Sequence, residues 1–382
     1  HSTISYHRFF KESAFLKHMK IAMIYPDYSS EKGISKYSSE LVTNIRKQGM
    51  EVEDINFIQG KPLSLFKHIH KLLDYDVIHI QHEYNMLGWY GLPYFFFLGF
   101  LGLFKKRGSI VTMHTVLSQK ENFKSGKLKT FLRKILYKIQ NRWISWTSAK
   151  IIVHAKSFKK ILTEEYNIPS KKIIVLPHAI IEDIKTVSKV QARKELNLDG
   201  NVYLLIGTMI PDHGHDIITK QSSDIGKTIL VVTNPSAVND RNESKITNFL
   251  ELNKKIVRDN NFEKLVRFDL GFIPYEKWWK YFSAADLILL PYRGGIGSGI
   301  FADAMAMKKP VIASGKYFKG FTKDYGCIKI AKQDKDFPVL IKDAMKIKNY
   351  KKMIKECERY FSENGLTSVS KKYKKLYTSL SK

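Results

Sequence analysis

Short apolar segments alternate with stretches of helical periodicity along most of the chain. The apolar segments have the length and the β-branched composition that are typical of strands buried in a parallel sheet. These are residues 21–25, 51–57, 77–81, 109–113, 151–154 and 173–176 in the first half, and 203–206, 228–232, 266–269, 287–290 and 311–313 in the second. The alternation predicts an α/β fold with helices covering each sheet.

The helical stretches separate these strands and dominate the end of the chain. They cover residues 36–48, 127–146, 243–258, 276–284, 299–307, 337–347 and 350–380, with a polar, partly helical connection at 181–200. The pattern therefore predicts two doubly wound, Rossmann-like domains facing a central cleft, with ligands bound at the carboxyl ends of the strands.

The same pattern predicts the domain boundaries. Residues 19–180 form a first domain and residues 181–360 a second. Residues 361–382 form a C-terminal helix that is free to cross back to the first domain. Residues 1–18 lack a hydrophobic signal-peptide core and are interpreted as an N-terminal extension preceding a natural start at Met19.

Charge is the unusual feature of the composition. The 382 residues carry 64 lysines and arginines against 36 acids, which gives a net charge of +28. Such a field favours phosphate-bearing partners such as nucleotides, anionic lipids or nucleic acid. The two cysteines, Cys327 and Cys357, exclude a disulfide scaffold and fit a reducing, cytoplasmic compartment.

Half of the excess charge lies in one region. Between Phe104 and Lys172 there are 17 basic and 3 acidic residues, a local charge of +14. Within it, the helix at 127–146 has an apolar stripe with basic residues on its other faces. The candidate membrane contacts are Arg133, Lys134, Lys138, Arg142, Trp143 and Trp146.

A basic amphipathic helix with tryptophans is typical of a membrane interface, although the stripe could equally pack against the sheet. The neighbouring run at 89–104 has 16 residues and is broken by proline and glycine. It is too short to span a bilayer, which needs about 20 apolar residues. With the 105–107 Lys-Lys-Arg run that follows, it favours a peripheral position at the cytoplasmic membrane face.

Seven segments, in order, resemble the GT-B class of retaining, nucleotide-sugar-dependent glycosyltransferases, which includes many mannosyl- and glucosyltransferases. The first half contributes MKIAMIYPDYSSEKGISKYSSELV (19–42), DVIHIQHEYNMLG (76–88), TMHTVL (112–117) and KIIVLPHAI (172–180). The second contributes LLIGTMIPDHGHDII (204–218), GFIPYEKWWKYFSAADLILLPYR (271–293) and GSGIFADAMAMKKPVIASG (297–315). The resemblance implies a hexosyltransferase that retains anomeric configuration and uses a UDP- or GDP-linked sugar.

The resemblance also implies roles for individual residues. His114, which follows a strand, would contact the transferred sugar, and Asp303, in the first turn of the helix at 299–307, would hold the ribose hydroxyls. These two are the candidate catalytic residues. The implied donor site contains Gly33, Gly207, Thr208, His213, Ile273, Ser298, Gly299 and Ile300. Glycines and a helix N-terminus suit a diphosphate, because backbone N–H groups can approach it. His82 and Glu83 are candidates for the acceptor side, with a structural hydrogen-bond network as the alternative.

Three positions depart from the family pattern. Gly295 stands where the first of two glutamates is usual, and Thr208 and His213 stand where an arginine and a lysine usually neutralise the diphosphate. An imidazolium at position 213 could replace part of that charge. A divergent active enzyme is the favoured interpretation, with a changed donor or a sugar-nucleotide- or glycan-binding homologue of weak activity as alternatives.

The remaining interpretations have less support in the sequence. The charge alone suggests a nucleic-acid-binding protein, but no recognised binding motif accompanies it. No lysine stands out for the pyridoxal cofactor of a sugar phosphorylase. We expect no metal and no bound cofactor, and read Asp334 and Asp336 as acids at a helix start. The expected partners are a nucleotide sugar, a glycan or lipid-linked acceptor and an anionic membrane surface, with no specific nucleic acid.

Overall fold

The computed structural model describes residues 19–30, 33–84, 86–104, 109–120, 126–234, 243–293, 298–314, 318 and 324–380. The chain divides into two compact units. The first contains the N-terminal part up to Ala179 together with the last helix, from Leu366 onward. The second runs from Ile180 to Gly365.

The first unit is built on a six-stranded parallel sheet. Its strands are β1 (Lys20–Pro26), β2 (Glu51–Phe57), β3 (Val77–His82), β4 (Ser109–Met113), β5 (Lys150–Val153) and β6 (Ile173–Val175), in the spatial order β2-β1-β3-β4-β5-β6. Its helices are α1 (Gly33–Lys47), α2 (Leu63–Phe66), α3 (Leu92–Phe104), α4 (Lys127–Thr147) and α5 (Lys156–Glu164). Every residue of β3 and β4 is buried, as expected for strands covered on both faces.

The second unit repeats this design. Its strands are β7 (Val202–Ile206), β8 (Thr228–Thr233), β9 (Val266–Leu270), β10 (Leu287–Leu290), β11 (Val311–Ser314) and β12 (Ile328–Ala331), in the order β12-β11-β10-β7-β8-β9 and all parallel. Its helices are α6 (Lys189–Leu196), α7 (His215–Thr219), α8 (Ser222–Ile225), α9 (Glu243–Asp259), α10 (Tyr275–Ala284), α11 (Gly299–Ala306), α12 (Phe337–Ala344) and α13 (Ile347–Asn364). Two parallel sheets flanked by helices are the GT-B architecture, so the predicted fold class is confirmed.

The last helix, α14 (Leu366–Leu380), belongs to the first unit, where it packs on α1. The Lys374 ammonium donates to the carbonyl of Gln48 at 2.7 Å. The Tyr377 hydroxyl lies 2.7 Å from Nδ1 of His79, in the middle of β3. Because His79 is buried, this contact gives a polar strand residue a partner that only the end of the chain can supply.

Several elements differ from the sequence-based expectation, and α3 and α5 are among the helices that the pattern did not predict. Strand β12 was not predicted, since its four residues, Ile-Lys-Ile-Ala, include a lysine and lie at the edge of the sheet. The helix predicted at 337–347 ends earlier, at Ala344 in α12, and the stretch predicted as helical at 350–380 begins earlier, at Ile347 in α13.

Candidate functional site

Histidines gather at the carboxyl ends of four neighbouring strands in the first unit. His82 is the last residue of β3, His114 follows β4, His154 follows β5 and His178 lies shortly after β6. Because these strands are adjacent and parallel, the residues that follow them meet at one edge of the sheet. The backbone N–H of His114 donates to the carbonyl of His82 at 3.1 Å. This edge is where open α/β sheets bind ligands.

Three of these rings and one tyrosine form a cluster. The ring centroid of His114 lies 4.9 Å from that of His154 and 5.4 Å from that of Tyr37 on α1. His178 lies 5.2 Å from His154 and 4.1 Å from Tyr37. His154 and His178 were not selected from the sequence. Their position directly after buried strands is the signal that could have found them.

Burial keeps this cluster neutral. Desolvation lowers the pKa of His154 to about 4 and that of His178 to about 3. The pKa of His114 falls well below its ordinary value, first because of desolvation and then because other histidines lie nearby. At neutral pH, His114 is therefore an uncharged ring that can both donate and accept a hydrogen bond.

Gln81 fixes the proton on His114. Its side-chain oxygen lies 2.8 Å from Nε2 of His114, and its amide nitrogen lies 3.2 Å from the sulfur of Met23. An oxygen can only accept, so Nε2 of His114 carries the hydrogen. Within the described part of the chain, Nδ1 of His114 makes no hydrogen bond.

The proposed acceptor-side pair lies in a different setting. His82 is completely buried, and neither ring nitrogen has a partner among the described residues. Burial lowers its pKa to about 3. The Glu83 carboxylate accepts from the backbone N–H of Tyr84 at 2.9 Å. His82 is thus closed off from ligand in this structure, because its ring packs against Tyr94 at a centroid distance of 4.8 Å.

A polar cavity of about 380 Å³ opens at the ends of β1 and β2, next to α1. It is lined by Tyr25, Asp27, Tyr28, Ser35, Lys36, Ser39, Glu40 and Asn56. The Glu40 carboxylate is half-buried and has no hydrogen bond with any described residue. Burial raises its pKa, while Lys36 acts in the opposite direction. Gly33, the predicted phosphate-loop glycine, is the first residue of α1.

In the second unit, the loop after β7 brings together several predicted donor residues. Gly207 has a φ of +115°, and a side chain placed on it would meet Ile300 of α11 at 3.4 Å. Nδ1 of His213 lies 2.6 Å from the carbonyl of Thr208. Gly214 is required at its position, because a Cβ there would lie 1.9 Å from the carbonyl oxygen of Pro291.

His213 itself is held in a neutral form. Burial lowers its pKa, although its bond to the Thr208 carbonyl and the charge of Asp212 act in the opposite direction. Its ring stacks on Tyr292 with centroids 4.7 Å apart. The predicted imidazolium is therefore not its resting state. A bound anion would be needed to draw a proton onto Nε2.

Tyr292 links this loop to the start of α11. Its hydroxyl lies 3.1 Å from that of Ser298, the residue before the helix. The Ser298 hydroxyl accepts from the backbone N–H of Phe301 at 3.1 Å, which is an N-cap. Ser298, Gly299 and Ile300 therefore form a capped helix start with its N-terminus available for an anion. Gly295, the missing glutamate position, lies outside the described residues, as does Gly297.

Asp303 is the fifth residue of α11, beyond the first turn in which it was predicted. Its carboxylate accepts a hydrogen bond from the indole N–H of Trp278 at 3.0 Å. Trp278 lies on α10, and its backbone N–H donates to the carbonyl of Pro274 at 2.9 Å. The loop that contains Ile273, another residue of the implied donor site, is thus connected to Asp303 through one tryptophan.

Two basic residues, Arg293 and Lys309, lie near the donor-site segments in sequence but make contacts with other groups. Arg293 binds both carboxylate oxygens of Asp216, at 2.6 and 2.7 Å. Lys309 donates to the carbonyls of Ser283 and Ala285, at 3.1 and 2.9 Å, and burial lowers its pKa to about 8. Neither replaces the basic pair that is missing at Thr208 and His213.

The described residues contain no group of three or more histidines, cysteines and acids that could hold a metal ion. Asp336 accepts from the backbone N–H groups of Lys332 and Gln333, both at 2.9 Å, in a capping box. This agrees with its interpretation as a helix-start acid.

The basic helix α4 leaves most of its apolar stripe uncovered. Its exposed apolar side chains are Leu128, Phe131, Leu132, Ile135, Ile139 and Trp146. Phe131 is 60% exposed, and Phe96, on the neighbouring helix α3, is 74% exposed. The alternative in which this stripe packs on the sheet is therefore wrong for the first half of α4. No helix among the described residues is long and apolar enough to span a bilayer.

Trp143 does not belong to this exposed stripe. Its indole N–H donates to the carbonyl of Phe95 at 3.0 Å, and its ring lies 3.3 Å from a Cβ placed on Gly99. It joins α4 to α3 at a glycine that permits close approach. Of the other predicted contacts, Lys138, Arg142 and Trp146 are exposed, whereas Arg133 and Lys134 are half-buried.

The comparisons with known proteins agree with this architecture. Anabaena HepE, solved with UDP and glucose, superimposes with a TM-score of 0.66 at 13% identity, over 95% of this chain and 100% of that one. Sucrose-phosphate synthase from Thermosynechococcus elongatus gives a TM-score of 0.71 at 16% identity, over 95% and 99% of the chains. WaaG, a glycosyltransferase involved in lipopolysaccharide biosynthesis, gives 0.63 at 14% identity, over 94% and 99%.

One family model also matches part of the sequence. Residues 40–183 match the family model described as Glycosyltransferase Family 4. The match covers less than half of the chain, and the three solved structures, at 16% identity or less, show that the chain has the GT-B fold. No curated protein matches it significantly. In this GT-B fold, Tyr292, Trp278 and Gln81 contact the predicted site residues Ser298, Asp303 and His114, and the sequence offered no pattern that singled them out.

Proposed function

We propose that this chain transfers a hexose from a nucleotide sugar, with UDP or GDP as the leaving group, to an acceptor hydroxyl with retention of configuration. The observation that carries the proposal is the arrangement in the second unit. Asp303, Trp278 and the Ile273 loop form one side of a candidate nucleotide site, and His213 and the Ser298 helix start form the other. UDP in HepE, a protein of the same fold, supports a nucleotide at such a site.

The chemistry assigned to these groups follows from their geometry. A carboxylate such as Asp303 can accept hydrogen bonds from two adjacent ribose hydroxyls. The α11 N-terminus can stabilise the diphosphate that leaves, which is the main electrostatic task of the reaction. We propose that His213 gains a proton when the diphosphate binds and so supplies part of the missing charge. In the first unit, His114 contacts the transferred sugar.

The acceptor site is proposed to include the polar cavity beside α1. Its lining holds two carboxylates and one ammonium, so it does not favour an anion. Carboxylate, amide and hydroxyl groups together match the hydroxyls of a sugar, and the exposed ring of Tyr28 offers a surface for its C–H face. The acceptor would thus present a sugar, as a glycolipid or lipid-linked glycan does. No protein base is required, because a donor phosphate oxygen can take the acceptor proton.

Donor binding is tested by thermal stabilisation with a panel of nucleoside diphosphates and nucleotide sugars. A ligand at a hundredfold excess over its dissociation constant stabilises the folded state by about 2.7 kcal/mol. One nucleotide should raise the melting temperature of the wild type, and Asp303→Ala should abolish that rise. Asp199→Ala, a change of another exposed acid in the same unit, is the matched control. The absence of any shift would indicate a degenerate donor site and favour the glycan-binding homologue of weak activity.

Transfer and its stereochemistry require separate measurements. Release of nucleoside diphosphate in the presence of acceptor tests catalysis. The anomeric configuration of the first product, read by proton NMR before equilibration, tests retention. Product with the opposite configuration would contradict the retaining mechanism while leaving the glycosyltransferase assignment intact.

We further propose that the exposed stripe of α4 docks on an anionic membrane surface at the cytoplasmic face. Apolar side chains at such an interface bury area, and flanking lysines and arginines gain about 1 kcal/mol each near anionic lipid. Lys127, Lys129, Lys138 and Arg142 provide these charges along the same helix. The charge complementarity selects lipid over a neutral protein partner.

Vesicle co-sedimentation tests this docking. The wild type should bind vesicles that contain phosphatidylglycerol and release them at high salt, with weak binding to pure phosphatidylcholine. Phe131→Glu with Leu132→Glu should abolish binding. Leu63→Glu, at a residue that is 80% exposed elsewhere in the same unit, is the control. Equal binding by the control and the double variant would contradict the assignment, as would a preference for nucleic acid over vesicles in competition.

A further inference from the structure

Gln81 has a buried side chain that the mechanism so far does not use. It lies in β3, is 0% exposed, and places its oxygen against Nε2 of His114. Strand interiors rarely hold a glutamine unless its polar atoms are satisfied. Here both ends have partners, because the amide nitrogen faces the sulfur of Met23 and the oxygen faces the histidine.

This arrangement determines which nitrogen of His114 is available. A neutral histidine that donates from Nε2 keeps a lone pair on Nδ1, because only one ring nitrogen carries a hydrogen. The hydrogen-bond partner of Nε2 therefore decides which of the two tautomers is present. We propose that Gln81 is a positioning residue that holds the proton of His114 on Nε2, so that Nδ1 accepts a hydrogen bond from a hydroxyl of the transferred sugar. The inference rests on the proposed glycosyltransferase function.

The groups around His114 keep its ring uncharged. The groups that face its ring are Tyr37 from α1, His154 after β5 and His178 after β6. His79 and His82 of β3 also disfavour a positive charge on it. Among the described residues, none of the groups acting on its charge is a carboxylate. The ring is thus kept neutral by its neighbours, and Gln81, itself uncharged, selects the tautomer without adding charge.

A carboxylate in place of the Gln81 amide should no longer keep the His114 ring in the tautomer that leaves Nδ1 free to accept. Gln81→Glu keeps an acceptor at Nε2 but stabilises the imidazolium, in which Nδ1 carries a hydrogen and can no longer accept. We expect kcat/KM for the donor to fall at neutral pH by about tenfold or more, the scale seen when a supporting hydrogen bond is lost. Activity should recover as pH rises and the ring loses its proton. The wild type should show no such alkaline recovery.

The matched control introduces the same acid elsewhere in the first unit. Gln140 on α4 is buried, and its amide atoms have no partner among the described residues. Gln140→Glu should change stability and leave the pH profile of kcat/KM with its wild-type shape. A control that shows the same alkaline recovery as Gln81→Glu would overturn the inference, since any buried acid would then produce the effect.

The tautomer of His114 can also be measured directly in the wild-type protein, so this test does not require an active variant. Nitrogen NMR of histidine side chains distinguishes the two tautomers, and loss of one signal in His114→Asn assigns the resonance. We expect Nε2 to carry the hydrogen at neutral pH. A hydrogen on Nδ1, or a charged ring, would overturn the proposal even in an active enzyme. A wild type with the expected tautomer that neither transfers nor hydrolyses a donor would instead contradict the proposed function.

Discussion

The indole N–H of Trp278 donates to a carboxylate oxygen of Asp303 across 3.0 Å, joining α10 to α11. The carboxylate is thereby held by a rigid donor on a neighbouring helix. The backbone N–H of the same tryptophan donates to the carbonyl of Pro274, at the end of the loop that contains Ile273. If Asp303 holds the ribose, Trp278 sets both the direction of that carboxylate and the position of the loop.

Trp278→Phe should therefore weaken nucleotide binding. The variant keeps the aromatic bulk and removes one hydrogen bond to a charged group, a loss of about 1.5–3 kcal/mol. The dissociation constant for the preferred nucleoside diphosphate should rise by about tenfold or more. Calorimetric titration measures it. Trp279→Phe, at the next residue, whose ring lies in the core, is the control and should alter stability rather than affinity. Equal affinity of wild type and Trp278→Phe would contradict the assigned role.

Arg293 offers a test of which charges the donor site uses. Its guanidinium is held by both oxygens of Asp216, so it should contribute to stability and little to diphosphate binding. The Asp216 side chain is 7% exposed and the Arg293 side chain 40%, which places this pair between the buried and the exposed kinds. Breaking it should cost about 1–2 kcal/mol.

Chemical denaturation of Arg293→Gln, Asp216→Asn and the double variant measures the coupling. Nucleotide affinity, corrected for the folded fraction, should change less than about threefold in Arg293→Gln, a factor that corresponds to under 1 kcal/mol. A much larger loss of affinity would show that the arginine leaves Asp216 to bind the diphosphate.

The fold was largely predictable because parallel strands buried on both faces leave continuous apolar runs in the sequence. The strand at 51–57 and that at 287–290 were predicted to the residue for this reason. Strand β12 was missed because its lysine-containing sequence resembles an edge or a loop.

The supporting residues of the site could not be predicted in the same way. Gln81 reaches His114 across two paired strands, and Trp278 reaches Asp303 from another helix, so each contact joins residues 33 or 25 positions apart. Periodicity reports which face of an element is apolar and carries no information on such pairs. The uncovered stripe on α4 was left open for a related reason, because an amphipathic pattern does not identify what covers it.

The buried histidines predict instability in acid. Desolvation lowers the pKa of His79, His82 and His178 to about 3 and that of His154 to about 4, from an ordinary value of 6.5. In the unfolded chain these groups take up protons as the pH falls through 6.5, while the folded chain resists until pH 3–4. Stability is therefore complete above pH 6.5 and is lost as the pH falls, by up to about 1.4 kcal/mol per pH unit for each histidine.

Urea denaturation at pH 7.5 and pH 5.5 measures this effect, and the midpoint should be clearly lower at pH 5.5. His79 provides the sharper test, because its two ring nitrogens bind Tyr377 and Thr112, at 2.7 and 2.6 Å. His79→Gln should reduce stability at pH 7.5 and weaken its dependence on pH. A pH dependence identical to that of the wild type would show that His79 does not titrate on unfolding as assigned.

The unpartnered carboxylate of Glu40 carries the last prediction, on the acceptor. Burial raises its pKa, and it makes no hydrogen bond with a described residue. Acceptor hydroxyls that donate to it would gain a charge-assisted bond without breaking an existing one.

Glu40→Gln should therefore raise KM for the acceptor by roughly tenfold, corresponding to about 1.5 kcal/mol. Donor hydrolysis in the absence of acceptor should stay at the wild-type rate, because Glu40 is not among the residues assigned to the donor. Glu51→Gln, at an exposed glutamate that begins β2 at the opposite end of the strand, is the matched control. An acceptor KM unchanged in Glu40→Gln would move the acceptor away from this cavity, whereas a parallel fall in donor hydrolysis would indicate damage to the fold rather than a lost contact.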